Sequence, residues 1–78
     1  MNSPLIDNAA RFPVLVMQNL EKQPSMLRDE SNVVLIKVCK ILAREGLRVR
    51  VLALCENMDS GRKALVRQAI QSHQHATH

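Results

Sequence analysis

Residues 32–46 of the chain read NVVLIKVCKILAREG, the strongest helical pattern in the sequence. Its apolar side chains recur at intervals of three and four residues, as on one face of an α-helix. That face consists of Val34, Leu35, Val38, Ile41 and Leu42. Ser31 before the stretch is suited to an N-cap, and Gly46 after it is suited to a left-handed C-cap. We therefore predict a helix from residue 32 to residue 45.

Weaker helical patterns lie on both sides of this segment. We predict a helix over residues 10–22, with Pro13 tolerated in its first turn, and another over 62–72, with Leu65 and Ile70 facing inward. Residues 47–56 fit a helix that packs through Leu52, but they also alternate with period two as in a strand. A helix is favoured, because a lone strand would have no partner within the chain.

These patterns predict a single all-α domain over residues 1–78 with three to four short helices. Residues 1–8 contain turn and cap pairs and are expected to form a loose leader. Residues 73–78 are polar and are expected to form a disordered tail.

The central helix carries apolar residues on more than one side, since Ile36, Cys39 and Ala43 widen its face. A chain of this length buries only about 60% of its unfolded surface, so its own core is marginal. Small domains without disulfides or metals commonly gain stability by oligomerisation. We therefore predict a helical homodimer in which the core faces also form the interface.

The two cysteines, Cys39 and Cys55, both lie within apolar runs. No secretory signal pattern precedes them, which favours a reducing cytoplasm and two free, buried thiols. A disulfide between them is the alternative. No apolar run reaches the roughly 18 residues of a membrane span, so no membrane association is predicted.

The formal net charge of +4 is concentrated in the second half of the chain. Residues 1–39 carry four basic and four acidic side chains, whereas residues 40–78 carry seven basic and three acidic ones. Such a surface can meet an acidic protein or DNA phosphates, although it can also be an ordinary solvated face. The predicted binding residues are Arg44, Arg48, Arg50, Arg62, Lys63 and Arg67.

Residues 37–58 also suit a helix-turn-helix, with Gly46 in the turn and Arg48 and Arg50 at the start of the second helix. Arginine is suited to contacts with guanine and with phosphate. The same spacing occurs in many helical corners that bind nothing, and such a plain corner is the favoured interpretation of this segment.

Catalytic and metal chemistry find little support in the sequence. His73, His75 and His78 have a spacing that can hold a transition metal, but they lie in the polar tail without a flanking acid or cysteine. No ordered base lies near a serine, and the acids are scattered. Phe12 is the only aromatic residue, which argues against base stacking. We predict no enzyme activity, no cofactor, no metal site and no small-molecule substrate.

Residues 27–46, LRDESNVVLIKVCKILAREG, resemble one stretch of the AriR/YmgB-like biofilm and acid-resistance regulators, small bacterial proteins also described as two-component-system connectors. Members are short and helical, with an acidic start to the central helix, an Ile-Leu-x-x-x-Gly ending and an arginine near the start of the last helix. The matching positions are Glu30, Ile41, Leu42, Gly46 and Arg67.

The resemblance implies an all-helical homodimer that binds regulatory proteins, with DNA as a further candidate partner. It covers about half of the chain and departs from the family after Gly46, where the third helix is shorter and the turn region is compressed. No binding residue is carried over from the family.

The leading functional hypothesis is a non-enzymatic regulatory protein that acts by protein–protein interaction, as an adaptor or connector in transcriptional or signalling control. The first alternative is a small helix-turn-helix regulator that binds DNA. The second is a phage- or plasmid-type inhibitor that masks a host protein.

Overall fold

Prolines determine where the first three helices begin in the computed structural model, which describes the backbone of residues 3–76 and the side chains of residues 3–71. Helix α1 spans Pro4–Arg11, α2 spans Pro13–Lys22, and the single turn α3 spans Ser25–Arg28 just after Pro24. The Ser3 Oγ atom accepts a hydrogen bond from the Leu5 amide at 3.2 Å and so caps α1. Proline suits a first helical turn because its missing N–H has no partner there.

Two residues that precede prolines break the helical path in the same way. Phe12 has φ −133° and ψ 63°, and Gln23 has φ −139° and ψ 78°. A proline ring excludes the α conformation from the residue before it. The predicted helix over 10–22 is therefore divided at Phe12, and residues 4–8, expected to be a loose leader, belong to α1.

The central segment follows the sequence prediction closely. Helix α4 spans Asn32–Leu42, and the Ser31 Oγ atom accepts a hydrogen bond from the Val34 amide at 3.4 Å. In the π-helical turn that follows, Ala43–Leu47, Gly46 adopts a left-handed conformation with φ 83° and ψ 13°. Leu47 after it, with φ −101° and ψ 18°, precedes the next helix. This left-handed glycine ends the α4 path and lets the chain start again as α5, Arg48–Cys55. The prediction that residues 47–56 are helical is confirmed.

The last helix, α6, spans Ser60–Ala76, so its backbone continues past the predicted end at residue 72. Asp59 caps it, since its Oδ2 atom accepts a hydrogen bond from the Arg62 amide at 3.1 Å. The part of the tail at 77–78, and the side chains from residue 72 onward, lie outside the described residues. The all-α prediction is confirmed for residues 3–76, where no strand occurs, but six helical segments replace the expected three to four.

Helix α4 lies at the centre and packs against α1, α2, α5 and α6. Four of the predicted core residues are buried: Leu35, Val38, Leu42 and Ile70. The other four, Val34, Ile41, Leu52 and Leu65, are only partly buried. Helix α1 also supplies part of the core, through the fully buried Ala9, a residue outside the predicted core.

The wide apolar sector of α4 is partly covered by other helices of the same chain. Cys39 is fully buried, and Ile36 and Ala43 are partly buried. The radius of gyration is 11.4 Å, against about 11.5 Å for a compact domain of this length. The accessible surface is 5049 Å², against about 4,800 Å² for a monomer of this mass. A single copy therefore covers α4 at Cys39, whereas Val33 at its start is 63% exposed, and the homodimer stays a prediction.

Among the described residues, no helix combines the length and the apolar character needed to cross a membrane. Both cysteines are free and buried, as predicted.

Candidate partner-binding surface

Arg62, predicted to lie on the basic binding face, holds the α3–α4 connection to the start of α6. Its guanidinium donates to the backbone carbonyls of Arg28 and Glu30 and, at 3.0 Å, to the Asn32 Oδ1 atom. These acceptors lie at the last residue of α3, in the connection that follows it and at the first residue of α4. The planar fork of arginine suits several acceptors at once, so Arg62 stabilises the fold through contacts that a bound partner would have to replace.

Lys63 and Arg67 both contact one carboxylate at the end of α5. Lys63 Nζ lies 3.0 Å from Glu56 Oε2, and Arg67 Nη2 lies 2.9 Å from Glu56 Oε1. Hydrogen bonds from Lys63 and then Arg67 lower the pKa of Glu56. These two surface ion pairs thus join the end of α5 to α6, and they neutralise part of the positive charge of α6 within the chain.

Arg50 links α5 to α2. Its Nε atom donates to Glu21 Oε2 at 3.1 Å, and its Nη2 atom donates to the other carboxylate oxygen. This bidentate ion pair lowers the pKa of Glu21, chiefly through the hydrogen bond from Arg50. Arg50, offered by the sequence as a DNA-contacting residue, is therefore held in an ion pair on the surface.

Three of the seven basic side chains without an ion-pair partner among the described residues lie along α4 and the turn that follows it. Lys37, Lys40 and Arg44 follow one another at intervals of three and four residues along one side of the helix. Together with Ile6 of α1 and Ile41 they line a groove of about 230 Å³ between α1 and α4. We call this set of five residues the α1/α4 groove. Only Arg44 was among the predicted binding residues.

A second groove, about 340 Å³, lies between α5 and α6. It is lined by Arg48, Leu52, Arg67, Ile70 and Gln71. Of its two arginines, Arg67 already contacts Glu56, so Arg48 is the one cation of this groove without such a contact among the described residues. Its free positive charge is therefore smaller than that of the α1/α4 groove.

The corner predicted as a helix-turn-helix is present as two helices joined at Gly46. Arg48 is exposed at the start of α5, and the Val49 side chain beside it is 80% exposed. The second helix has only eight residues, and Arg50 points to Glu21. This corner can present one arginine and one valine to a partner.

A further apolar surface lies where α1 meets α2. Phe12, Val14 and Leu15 are 56%, 52% and 55% exposed, respectively. We call these three residues the α1–α2 ridge. Exposed apolar side chains concentrated in one short segment mark a candidate association surface.

Cys39 and Cys55 contact each other inside the core, on α4 and α5. The contact with Cys55 and burial both raise the pKa of Cys39. Both thiols are shielded from solvent, with Cys39 and Cys55 0% and 3% exposed, so this contact belongs to packing. No group of three or more metal-binding side chains occurs among residues 3–71; His73, His75 and His78 lie outside that range.

Part of the α1/α4 groove could be predicted from the sequence, but comparing the net charge of the two halves of the chain does not reveal it. The intervals between Lys37, Lys40 and Arg44 place them on one helix side, yet Lys37 falls in the half whose charges sum to zero. Ile6 was missed because its segment was taken for a leader. Comparison of the chain with protein families, with curated proteins and with solved structures yields no match.

Proposed function

We propose that this protein is a non-enzymatic regulator that acts by binding another protein through the α4 side of its surface. The observation that carries the proposal is the α1/α4 groove, where three cations without ion-pair partners among the described residues border apolar side chains. A mixed cationic and apolar surface provides both steering and contact area for a protein partner.

The distribution of ion pairs supports this choice of surface. Arg50, Lys63 and Arg67 are neutralised by carboxylates of the same chain, and Arg62 contacts backbone carbonyls. A partner that binds these four residues would have to replace their contacts within the chain. A partner at the α1/α4 groove would replace only the water around Lys37, Lys40 and Arg44. The resemblance to the AriR/YmgB-like regulators also implies a regulator that binds proteins, and it stays a prediction. The cytoplasmic location and the absence of a cofactor stay predictions as well.

Site-specific photo-crosslinking in the native host tests the proposal. A photoreactive phenylalanine analogue replaces Lys40 in one version of the full chain and Gln68, which is exposed on α6, in the other. We expect a discrete protein adduct from position 40 and none from position 68. Adducts of equal pattern from both positions, or none from position 40, would contradict the proposal.

A second candidate function, DNA binding, is favoured by the Gly46 corner and the exposed Arg48. Phosphate contacts would make the affinity for a duplex fall steeply with salt concentration. In this case Arg48→Ala would weaken duplex binding, and Arg50→Ala would act mainly by releasing Glu21. Absence of duplex binding at low salt would eliminate this candidate.

A further inference from the structure

We propose that the α1/α4 groove binds an acidic amphipathic helix of the partner protein, a proposal that rests on the function proposed above. The partner helix would place one large apolar side chain between Ile6 and Ile41 and carboxylates opposite Lys37, Lys40 and Arg44. The charge, the apolar floor and the residue spacing of the groove all suit such a helix.

The groove is cationic without an acid in its lining. The nearest acid of α1 along the chain, Asp7, is engaged by Arg11, whose Nε atom lies 3.3 Å from Asp7 Oδ1. Lys37 and Arg44 are exposed, and Lys40 is half-buried, so its aliphatic stem lies along the groove while its ammonium group can reach water. Carboxylates are the complementary groups for these three side chains.

The floor of the groove is apolar. Ile6 and Ile41 are half-buried and pack against the core, and each keeps part of its side chain accessible. The volume of about 230 Å³ is below the roughly 300–1,000 Å³ of typical small-molecule pockets. A single apolar side chain of a docked helix fits such a floor better than a metabolite does.

The spacing of the cations matches that of a second helix. Lys37 lies four residues before Ile41 and Arg44 lies three residues after it, so cations flank the apolar floor by one turn on each side. The stripe from Lys37 to Arg44 rises about 10 Å along the axis. A partner helix with one leucine flanked by glutamates three and four residues away repeats this pattern with opposite charge.

Nucleic acid is the less favoured occupant. Phosphates would satisfy the cations but would leave the isoleucine floor without an apolar partner. Base stacking requires aromatic faces, and the only aromatic residue of the chain, Phe12, does not line the groove.

The test uses the full chain and a fluorescein-labelled helical peptide of about 18 residues, long enough to populate a helix in water. The peptide carries a leucine with glutamates three and four residues to either side, and its counterpart carries glutamine at those positions. Fluorescence anisotropy measures both affinities. We expect the acidic peptide to bind about tenfold more tightly than the glutamine peptide, or more.

Matched variants locate the binding site. The triple variant Lys37→Glu, Lys40→Glu, Arg44→Glu reverses the groove, whereas Lys22→Glu, Arg28→Glu, Arg48→Glu reverses three exposed cations elsewhere and has the same net charge. We expect the groove variant to lose about tenfold in affinity or more, and the control to lose less than about threefold. Ile41→Gln removes the floor without changing charge and should also weaken binding. Circular dichroism verifies that each variant is helical.

Three results would overturn the proposal: equal affinity for the two peptides, equal losses in the two triple variants, or tighter binding of a short duplex than of the acidic peptide. The two proposals fail separately. Protein adducts from position 40 without peptide binding would reject the acidic helix and keep the regulatory function. Peptide binding without any protein adduct would reject the function and keep the chemistry of the groove.

Discussion

Arg62 of α6 contributes to stability because its guanidinium group donates hydrogen bonds to three acceptors at the α3–α4 connection. We expect Arg62→Ala to lower the free energy of unfolding by about 1–2 kcal/mol, since hydrogen bonds from a charged donor to a partly exposed site are lost. Urea denaturation measures this difference. Arg62→Lys should recover only part of it, because an ammonium group lacks the planar fork.

Lys63→Ala is the matched control for Arg62, since Lys63 is the next residue of α6 and makes a surface ion pair with Glu56. Its loss should cost less than about 1 kcal/mol. Equal denaturation midpoints for the Arg62 and Lys63 alanine variants would show that the carbonyl contacts of Arg62 do not stabilise the fold.

Stability is expected to fall in acid because Glu21 and Glu56 both have lowered pKa values in the folded state. Such groups stabilise the fold above their unfolded pKa, near 4.3, and this contribution disappears as the pH falls through the lower folded values. The double variant Glu21→Gln, Glu56→Gln should therefore show a shallower loss of stability below about pH 4.5. Thermal unfolding followed from pH 7 to about pH 3 measures the slope.

The control for this pH prediction is Asp29→Asn, which removes a carboxylate without an ion pair among the described residues. An unchanged acid slope in the double variant, or an equal change in the control, would contradict the assignment of acid sensitivity to the two ion pairs.

The sequence could not reveal how the basic residues are divided between structure and surface. Arg50 meets Glu21 across 29 residues of chain, and Arg62 meets carbonyls more than 30 residues away. Such partners follow from the packing of helices, not from local spacing. The pattern within α4 is local, which is why the spacing of Lys37, Lys40 and Arg44 was visible without coordinates.

At the scale of elements, Gly46 is the residue on which the α4–α5 corner depends. Its φ of 83° lies in the left-handed region, and no atom lies within 4 Å of a Cβ placed there, so the penalty for substitution comes from the backbone alone. We expect Gly46→Ala to lower the free energy of unfolding by about 1–2 kcal/mol. Gly46→Asn should cost less, because asparagine tolerates this conformation.

Gly61→Ala provides a comparison within α6, where the glycine does not have a positive φ. A Cβ there would lie 3.3 Å from the Asp59 Oδ2 atom, a tight contact that offsets the better helix propensity of alanine. Its expected effect is within about 1 kcal/mol of zero. A Gly46→Ala variant as stable as wild type would contradict the left-handed corner.

Helix boundaries could be predicted where a capping residue or a glycine marked them. They were predicted wrongly at prolines, because a proline can lie in a turn or begin a helix. Ser31 and Gly46 bracket the central helix as expected. Ser3-Pro4, a turn or cap pair of the expected leader, acts as a serine cap followed by proline and so starts α1. Pro13 was expected to lie inside the first turn of a helix, but it begins a new helix because it excludes Phe12 from the α conformation.

At the scale of the molecule, one copy covers most of its own core, so a homodimer would have to use surface that is left over. The α1–α2 ridge is the apolar surface best suited to this, since Phe12, Val14 and Leu15 are each more than half exposed. We expect a dimer in sedimentation equilibrium that Leu15→Gln converts to monomer without loss of helix content. A wild-type chain that stays monomeric at about 100 μM, equivalent to association weaker than about 5.5 kcal/mol, would reject the dimer.

An amide chemical-shift map of the ¹⁵N-labelled full chain, titrated with the acidic helical peptide, shows whether the α1/α4 groove is the binding surface. We expect shifts concentrated around Ile6 and from Lys37 to Arg44, with little change at the α1–α2 ridge. Shifts concentrated at that ridge or along α5 and α6, with an unchanged groove, would contradict the account.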